Sequence, residues 1–183
     1  MKQIHKHSGK SSESFLDKDI ILKLLKIRTG QKILDAGCGN GYMAREFSKL
    51  VGSDGKVYAI DTHEQSVNQL KSEIAEGNIT VALGDVTKNT EIENSSIDIV
   101  YLSNVFHGFT NLQIEDFLQE AKRVLKPGGV LAIVEINKDN TPFGPPMDIR
   151  YSPEELIATV GLEKLDLTRV GDYFYIQTFV YKS

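Results

Sequence analysis

The sequence predicts a doubly wound α/β fold whose seven-stranded, mostly parallel sheet ends in an antiparallel hairpin. Short apolar runs alternate with amphipathic helical segments over most of the 183 residues, which implies right-handed β-α-β crossovers. The run 97–102 is almost continuously apolar, as in a strand that is covered on both faces. Two β-rich segments, 162–170 and 173–181, flank Gly171-Asp172, which is typical of a terminal hairpin.

The individual elements follow from periodicity and from start and stop signals. An N-terminal helix is predicted over 11–28, before Gly30. Capping-box patterns mark a helix after Thr110 and another after Ser152, and Gly161 ends the second. The remaining elements are strands 33–36, 57–60, 79–83, 97–102 and 130–136, and helices 42–51, 64–75 and 112–125.

Length and composition indicate one domain over 1–183, with flexible residues at 1–10. The net charge of −4 provides no sequence-wide attraction to nucleic acid. No apolar run approaches the roughly 20 residues that span a bilayer, and the polar start lacks a signal peptide. We therefore expect a cytoplasmic protein that binds neither nucleic acid nor membranes. His5 and His7 lack partner ligands at metal-site spacing, so no metal site is predicted.

The most informative segment is Lys32-Ile-Leu-Asp-Ala-Gly-Cys-Gly-Asn-Gly-Tyr42, an apolar strand that leads into three glycines. Glycines permit a tight turn, a close approach to a ligand and exposed N–H groups at the start of the next helix. A dinucleotide fingerprint would place its third glycine where Tyr42 stands. The pattern therefore favours a nucleotide-like cofactor without a pyrophosphate over NAD.

Five segments in this order and spacing resemble the class I S-adenosylmethionine (SAM)-dependent methyltransferases, over nearly the whole chain. They are Ile33-Leu-Asp-Ala-Gly-Cys-Gly-Asn-Gly41, Ala59-Ile-Asp61, Gly84-Asp85, Ile97-Asp-Ile-Val-Tyr-Leu-Ser-Asn104 and Leu125-Lys-Pro-Gly-Gly-Val130. The resemblance implies a Rossmann-like fold, SAM as cofactor and methyl transfer to a small molecule. Within that family, the sequence is similar to the branch that contains quinone- and arsenite-methylating enzymes. Arsenite chemistry relies on several cysteines, and only Cys38 is present.

The resemblance also implies roles for residues at the strand ends. Asp35 would attract the ammonium of the methionine moiety, Asp61 would accept from both ribose hydroxyls, and Asp85 would accept from the adenine amino group. Asn104 would face the methionine end. The full set of predicted cofactor-binding residues is Asp35, Gly37, Cys38, Gly39, Gly41, Asp61, Thr62, Gly84, Asp85, Val86 and Asn104. For Thr62, a capping box with Gln65 is an equally good explanation.

Catalysis by such an enzyme needs near-attack positioning more than a reacting side chain. His107 and Glu135 are the candidate catalytic residues if the acceptor must shed a proton, with Asp139 a further base by location. The N-terminal helix, within 11–30, is expected to act as a lid. The loop 137–151 is expected to lie on the acceptor side, with apolar surface from Phe143, Met147 and Tyr151 and with Lys138 and Arg150 for an anionic group.

Three alternatives stay open at this point. A SAM-binding protein without catalysis would keep the same glycine loop and acids. An NAD-dependent oxidoreductase shares the strand, glycine and acid order, but not the third glycine or the hairpin. An aminopropyltransferase would need a polyamine site, which the sequence does not show. The sequence leaves the methyl-accepting atom and the oligomeric state undetermined.

Overall fold

The computed structural model describes residues 15–75 and 77–182. Its helices are α1 (Lys18–Leu25), α2 (Tyr42–Val51), α3 (Glu64–Glu73), α4 (Asn111–Val124) and α5 (Pro153–Val160). Its strands are β1 (Lys32–Ala36), β2 (Lys56–Asp61), β3 (Ile79–Leu83), β4 (Ile97–Ser103), β5 (Leu125–Ile136), β6 (Glu163–Arg169) and β7 (Phe174–Val180). Two short 3₁₀ turns cover Phe106–Gly108 and Met147–Ile149.

The seven strands form one sheet in the order β3-β2-β1-β4-β5-β7-β6. The pairs β1–β2, β2–β3, β1–β4 and β4–β5 are parallel, whereas β7 pairs antiparallel with β5 and β6. The predicted fold class is therefore confirmed. The strand order reverses between β1 and β4, and the carboxyl ends of strands at such a reversal are where open α/β sheets bind ligands.

Helices cover both faces of the sheet, which gives two separate apolar clusters. One contains Ile33, Phe47 and Leu70, and it joins α1, α2 and α3 to the sheet. The other contains Leu34, Phe117 and Leu156, and it joins α4 and α5 to the opposite face. Because successive side chains of a strand alternate in direction, Ile33 and Asp35 share the first face and Leu34 the second.

Several predicted boundaries need correction. The N-terminal helix begins at Lys18, after the capping side chain of Asp17, and ends at Leu25; residues 1–14, with His5 and His7, lie outside the described residues. Helix α3 starts after His63, whose ring accepts from Ser66 N–H, so the predicted Thr62 capping box is wrong. Strand β5 begins at Leu125 because Pro127-Gly-Gly129 forms an irregularity within the strand and not a turn before it.

The capping boxes at Thr110–Gln113 and Ser152–Glu155 are confirmed, with both reciprocal hydrogen bonds present in each. They fix the starts of α4 and α5. Helix α4 follows the segment after β4, and α5 follows the segment after β5. Both segments leave the carboxyl edge of the sheet, and the two capping boxes define where they end.

The loop between β5 and α5 is organised around one buried cation. The Arg150 guanidinium, 6% exposed, donates to the carbonyls of Pro145, Asn137, Asp139 and Phe143 and to the Thr141 hydroxyl at 2.8–3.1 Å. Arg150 is thus engaged inside its own loop, which argues against the predicted contact with an anionic acceptor group. Lys138 is likewise paired with Glu155 at 2.6 Å.

The structure predicts that Arg150→Met loosens this loop while leaving the sheet intact. Five hydrogen bonds from a buried charged donor disappear, and such bonds contribute about 1.5–3 kcal/mol when charged groups are involved. We expect faster amide hydrogen exchange within 137–149 and a loss of about 2–3 kcal/mol in the free energy of unfolding. Lys138→Met is the matched control, because its partly exposed ion pair is worth about 0–1 kcal/mol. Equal exchange rates in both variants would contradict the role given to Arg150.

Candidate functional site

The glycine loop between β1 and α2 is tied to the end of β2. The Ile60 carbonyl accepts from the N–H groups of Gly37, at 2.8 Å, and Cys38, at 3.1 Å. The Asp61 carboxylate accepts from Gly39 N–H at 2.8 Å. Gly41 N–H donates to the Cys38 carbonyl at 2.8 Å. The expected display of the glycine N–H groups toward a ligand is therefore wrong, because these groups are used within the protein.

The conformation of the loop explains why glycine occupies these positions. Gly37, Gly39 and Gly41 all have positive φ angles, between +53° and +76°, which side chains with a Cβ rarely adopt. A Cβ on Gly37 would lie 2.6 Å from Val105, and one on Gly41 would lie 2.3 Å from Leu70. At Gly39, no heavy atom of the described residues lies within 4 Å of the added Cβ, so this glycine borders open space where a ligand can approach the backbone.

Asp61 holds two segments together. One oxygen accepts from Gly39 N–H at 2.8 Å, and the other accepts from His63 N–H at 2.7 Å. The carboxylate thereby links the glycine loop to the start of α3, a structural task that the sequence pattern did not reveal. Since each carboxylate oxygen can accept a second hydrogen bond, the half-buried side chain keeps acceptor capacity.

Asp35 is a buried carboxylate at the end of β1. It is 3% exposed, and among the described residues its Oδ2 is a buried atom with no hydrogen-bond partner. Burial, with a smaller contribution from the charge of Asp61, raises the pKa of Asp35 to about 7. A hydrogen bond from the backbone N–H of Ala44 in α2 lowers the pKa, but its effect is weaker. A buried carboxylate without full compensation is costly, so the site favours a cation beside it.

Tyr101 lies next to Asp35 in the register of β1 and β4. Its ring is 1% exposed and packs edge-on against Phe47 with centroids 5.1 Å apart. Its hydroxyl is a second buried polar atom without a hydrogen-bond partner among the described residues. Burial raises the pKa of the Tyr101 hydroxyl, and the nearby Ser103 side chain lowers it by a smaller amount. The hydroxyl therefore stays protonated and can donate a hydrogen bond. Tyr101 is absent from the predicted site, because an aromatic residue inside an apolar strand has no distinctive sequence pattern.

The other predicted cofactor residues also lie at the carboxyl ends of strands. Asp85 follows β3, and its Oδ1 accepts from Thr87 N–H at 3.0 Å and from the Thr87 hydroxyl at 2.7 Å. Val86 is buried, Gly84 is half-buried and Thr62 is exposed. Asp85 therefore has a turn-forming role in addition to any ligand contact, and its role toward a ligand stays a prediction.

Asn104 ends β4 in a left-handed conformation, with φ of +57°. Its backbone N–H donates to the Val134 carbonyl of β5 at 2.9 Å. Asparagine tolerates this conformation better than most residues, and such backbone positions cluster at functional sites. The turn directs the next residues, including Val105, across the glycine loop, where Val105 packs against Gly37.

The structure brings the two predicted catalytic residues into direct contact. The imidazole Nδ1 of His107 lies 2.6 Å from Oε2 of Glu135, and the side chains are 5% and 0% exposed. Burial and, to a smaller extent, the positive charge of Arg150 lower the pKa of His107. The negative charge and the hydrogen bond of Glu135 outweigh both effects, so the pKa of His107 is raised. The sequence placed His107 shortly after one strand and Glu135 within the next, but it did not indicate that they pair. Asp139, the third candidate base, contributes its backbone carbonyl to Arg150.

Cys38 lies in the glycine loop and is buried. Burial and the nearby carboxylates of Asp35 and Asp61 raise its pKa well above the usual range for a thiol. The thiol therefore stays protonated at neutral pH, which is unsuited to nucleophilic chemistry.

The described part of the protein contains neither a candidate membrane-spanning helix nor a candidate metal cluster. No helix within 15–75 and 77–182 is long and apolar enough to cross a membrane. In that same part of the sequence, no three histidine, cysteine, aspartate or glutamate side chains group in a way that suits a metal ion.

Comparisons with known proteins agree on one family. A family model described as a methyltransferase domain matches residues 33–129. The ubiquinone/menaquinone biosynthesis C-methyltransferase of Laribacter hongkongensis is 35% identical over 135 residues, which are 72% of this chain and 54% of that protein. The demethylmenaquinone methyltransferase of Staphylococcus aureus is 33% identical over 126 residues, 67% of this chain and 50% of that one. The chain thus spans about half the length of these curated relatives.

A solved structure matches over nearly the whole length. The crystal structure of a SAM-dependent methyltransferase from Aquifex aeolicus aligns with a TM-score of 0.83 and 30% identity, covering 93% of this chain and 92% of that one. The alignment leaves out less than a tenth of either protein.

The state of Asp35 predicts that Asp35→Asn stabilises the ligand-free protein at high pH. The pKa of Asp35 rises from an ordinary value of 3.8 to about 7 in the fold, so the native state holds the proton more tightly than the unfolded state. The stability from this group is fully present below about pH 4 and is lost as the pH rises through about 7. We expect Asp35→Asn to have the higher free energy of unfolding above pH 7, and the gap to narrow toward pH 4.

Urea unfolding at pH 4.5, 6 and 8 measures this effect. Asp54→Asn makes the same change in charge at an exposed turn residue and serves as the control. If the free energy of unfolding of wild type exceeded that of Asp35→Asn by the same amount at all three pH values, the buried, uncompensated state of Asp35 would be contradicted.

Proposed function

Because the chain belongs to the class I SAM-dependent methyltransferases, we propose that it binds SAM at the carboxyl edge of β1, β2 and β4 and transfers its methyl group to a small molecule. The single observation that carries the proposal is the buried Oδ2 of Asp35, which has no hydrogen-bond partner within 15–75 and 77–182, beside Gly39, which borders open space in the same part of the chain. Together they provide a place for a cation and a backbone that a ligand can approach closely.

The residues at this edge suit a ligand with a positively charged end. In the proposal, the ammonium of the methionine moiety lies at the Asp35 carboxylate and recovers the free energy that its burial costs. The Tyr101 hydroxyl, a second buried atom without a partner among the described residues, is a donor close by. It suits the carboxylate of the same moiety, since both lie on the face of the sheet that α2 covers.

The opposite end of the site suits a nucleoside. Asp61 offers carboxylate oxygens for the ribose hydroxyls, at a position already fixed by the bonds to Gly39 and His63. Asp85 and Val86 follow the neighbouring strand β3 and provide an acceptor and an apolar surface for the adenine. Thr62 and Gly84 lie between these two positions along the sheet edge.

Bound SAM would supply a methyl group on a positively charged sulfur. The protein's contribution is to hold this donor and an acceptor in line and to exclude water, which lowers the barrier without a covalent enzyme intermediate. Asn104 and Val105 lie between the glycine loop and β5, where the methionine end and the acceptor would meet.

We further propose that α1 and the loop 137–151 form the acceptor side. Lys18 of α1 pairs with Glu46 at 3.5 Å and lies over the Tyr42 ring, which starts α2. Phe15 stacks on Phe143 of the loop with centroids 4.6 Å apart. The start of α1 therefore bridges the glycine-loop side and the β5 side of the edge. A cleft of about 430 Å³ adjoins it, lined in part by Phe15 and Tyr173.

The names of two relatives indicate the acceptor's chemical class. The Laribacter hongkongensis and Staphylococcus aureus proteins are named as methyltransferases of quinone biosynthesis. We propose an aromatic or conjugated small molecule for this protein as well. An NAD-dependent oxidoreductase, an aminopropyltransferase or a non-catalytic SAM-binding protein finds no support in these relatives or in the Aquifex aeolicus structure.

The proposal predicts a specific pH dependence of SAM affinity. Protonation of Asp35, whose pKa is about 7, removes the charge that binds the ammonium. The association constant should therefore fall as the pH drops below 7, approaching tenfold per unit. Calorimetric titrations with SAM and with 5′-methylthioadenosine, which lacks the amino acid portion, between pH 5.5 and 8 measure this. The shorter ligand should show no such dependence; equal slopes for the two ligands would contradict the assignment.

Transfer itself is tested by incubating the protein with methyl-labelled SAM and small-molecule pools. We expect label in at least one conjugated small molecule, and a loss of labelling in Asp35→Asn that matches its weaker SAM binding, by about 10-fold to 100-fold for a charged hydrogen bond. Tight SAM binding with no transfer to any pool would favour a non-catalytic role. NADH binding without SAM binding would overturn the proposal.

A further inference from the structure

The two edges of the sheet differ in how well they are protected against pairing with another chain. The strand order leaves β3 at one edge and β6 at the other. Strand β6 carries charged residues along its length, and its register with β7 shifts between Lys164 and Leu167. Charges and bulges are the usual features that keep an edge strand from pairing with a further strand. The β6 edge is therefore protected.

Strand β3 has none of these protective features. Its sequence, Ile79-Thr-Val-Ala-Leu83, contains no charged residue and no proline, and its register with β2 is continuous from one end to the other. Leu83 is 51% exposed although its side chain is large and apolar, and Thr80 is exposed as well. An unprotected apolar edge of this kind is a template for a further strand.

The direction of the β3 backbone groups follows from the hydrogen bonds at the two ends of the strand. The Asn78 carbonyl accepts from a β2 N–H at 2.9 Å, and Gly84 N–H donates to a β2 carbonyl at 3.0 Å. Because the backbone groups of successive residues in a strand point to alternate sides, the even-numbered residues in between also face β2. The N–H and C=O groups of Ile79, Val81 and Leu83 therefore point away from the sheet.

These outward groups have no protein partner in the part of the chain that the structure describes. Within 15–75 and 77–182, no strand other than β2 pairs with β3, and no turn or loop hydrogen bond uses the three residues. The first and last described segments lie at the opposite edge: Asp17 N–H donates to the Val170 carbonyl, and Lys182 pairs with Glu163 of β6. The β3 edge thus offers its hydrogen-bonding groups to solvent or to another chain.

We propose that the β3 edge binds a second copy of this chain, with the two β3 strands antiparallel and a two-fold axis at Val81. In this register, Ile79 of each copy lies opposite Leu83 of the other, and Val81 lies opposite itself. Outward groups then face only outward groups, and each of the three pairs exchanges two hydrogen bonds, about six in all. Such an isologous contact needs a surface that is complementary to itself, which is what this strand provides.

Side-chain charge is compatible with this register. The strand itself is uncharged, and the first carboxylate after it, that of Asp85, lies opposite Gly77 of the second copy and so meets no like charge. Asp85 also has the Lys88 ammonium of its own chain 3.8 Å away. Ile79 and Leu83 form apolar cross-strand pairs, which stabilise antiparallel strands. The pairing therefore covers the exposed Leu83 side chain of both copies.

Antiparallel pairing keeps the two proposed cofactor sites separate. The carboxyl ends of the two β3 strands point in opposite directions, so Asp85 and Val86 of one copy lie at the opposite edge of the joined sheet from those of the other. Neither copy contributes a residue to the other's site. We expect one SAM per chain in the dimer, and the pairing of β3 strands does not depend on the proposed function.

Disulfide cross-linking of the full chain tests the register. Opposed Cα atoms in a hydrogen-bonded antiparallel pair are about 5.5 Å apart, a distance that a disulfide spans. Val81→Cys should therefore form a covalent dimer under mild oxidation by copper phenanthroline. Leu83→Cys is the matched control, because the two copies of this residue are displaced by about four residues, or about 13 Å, and should stay uncross-linked. The native Cys38 is buried, and wild type reports any cross-linking through it.

Sedimentation velocity measures the association itself. One pair of short strands is small beside the roughly 1,600 Å² of a standard interface, so we expect a weak dimer of wild type, with a dissociation constant on the order of 0.1 mM. Val81→Lys places two like charges at the axis and should raise this constant about 10-fold or more. Leu167→Lys makes the same change at the exposed β6 edge and should leave the dimer unchanged. Both variants should keep the SAM affinity of wild type.

Amide hydrogen exchange of wild type gives a test that needs no substitution. The N–H groups of Ile79, Val81 and Leu83 should exchange more slowly as the protein concentration rises through the dissociation constant. Protection that is independent of concentration would show that another segment of the same chain covers the edge, and it would overturn the proposed pairing.

Three further results would contradict the dimer. The first is a wild-type protein that stays monomeric up to about 1 mM, ten times the expected dissociation constant. The second is cross-linking of Leu83→Cys as readily as of Val81→Cys, which would exclude the register. The third is a dimer that Leu167→Lys weakens and Val81→Lys does not, which would place the contact at β6. Absence of SAM binding by wild type would instead contradict the proposed function and leave the pairing intact.

Discussion

The site depends on the attachment of the glycine loop to the end of β2. The Ile60 carbonyl and the Asp61 carboxylate together accept from Gly37, Cys38 and Gly39, which forces the glycines into positive φ angles. With its N–H groups used in this way, the loop supplies shape and not donors. In the proposed SAM site, charge recognition is then left to side chains at the strand ends, and above all to Asp35, whose buried oxygen has no partner among the described residues.

The sheet divides the site into two chemically different halves. On the α2 face, Asp35 and Tyr101 are buried and each has a polar side-chain atom without a hydrogen-bond partner in the part of the chain that the structure describes. On the opposite face, Glu135 and His107 satisfy each other at 2.6 Å. The first half favours the binding of a cationic ligand, whereas the titratable groups of the second half are already paired with each other.

Sequence patterns sufficed for the fold and for the positions of Asp35, Asp61, Asp85 and Asn104, because parallel strands place their carboxyl ends at one edge. They were insufficient where tertiary contacts decide. Nothing local shows that Glu135 reaches His107 across 28 residues. Arg150 also reads from the sequence as a free cation, yet four loop carbonyls surround it. The use of the glycine N–H groups likewise depends on the neighbouring strand and not on the loop sequence.

The central claim is that SAM binding ionises Asp35, and proton release on binding measures it most directly. Titration calorimetry at pH 6 in two buffers of different ionisation enthalpy gives the number of protons released. Since the pKa of Asp35 is about 7, wild type should release close to one proton per SAM bound and Asp35→Asn close to none. Binding without proton release, or equal release by both proteins, would contradict this claim.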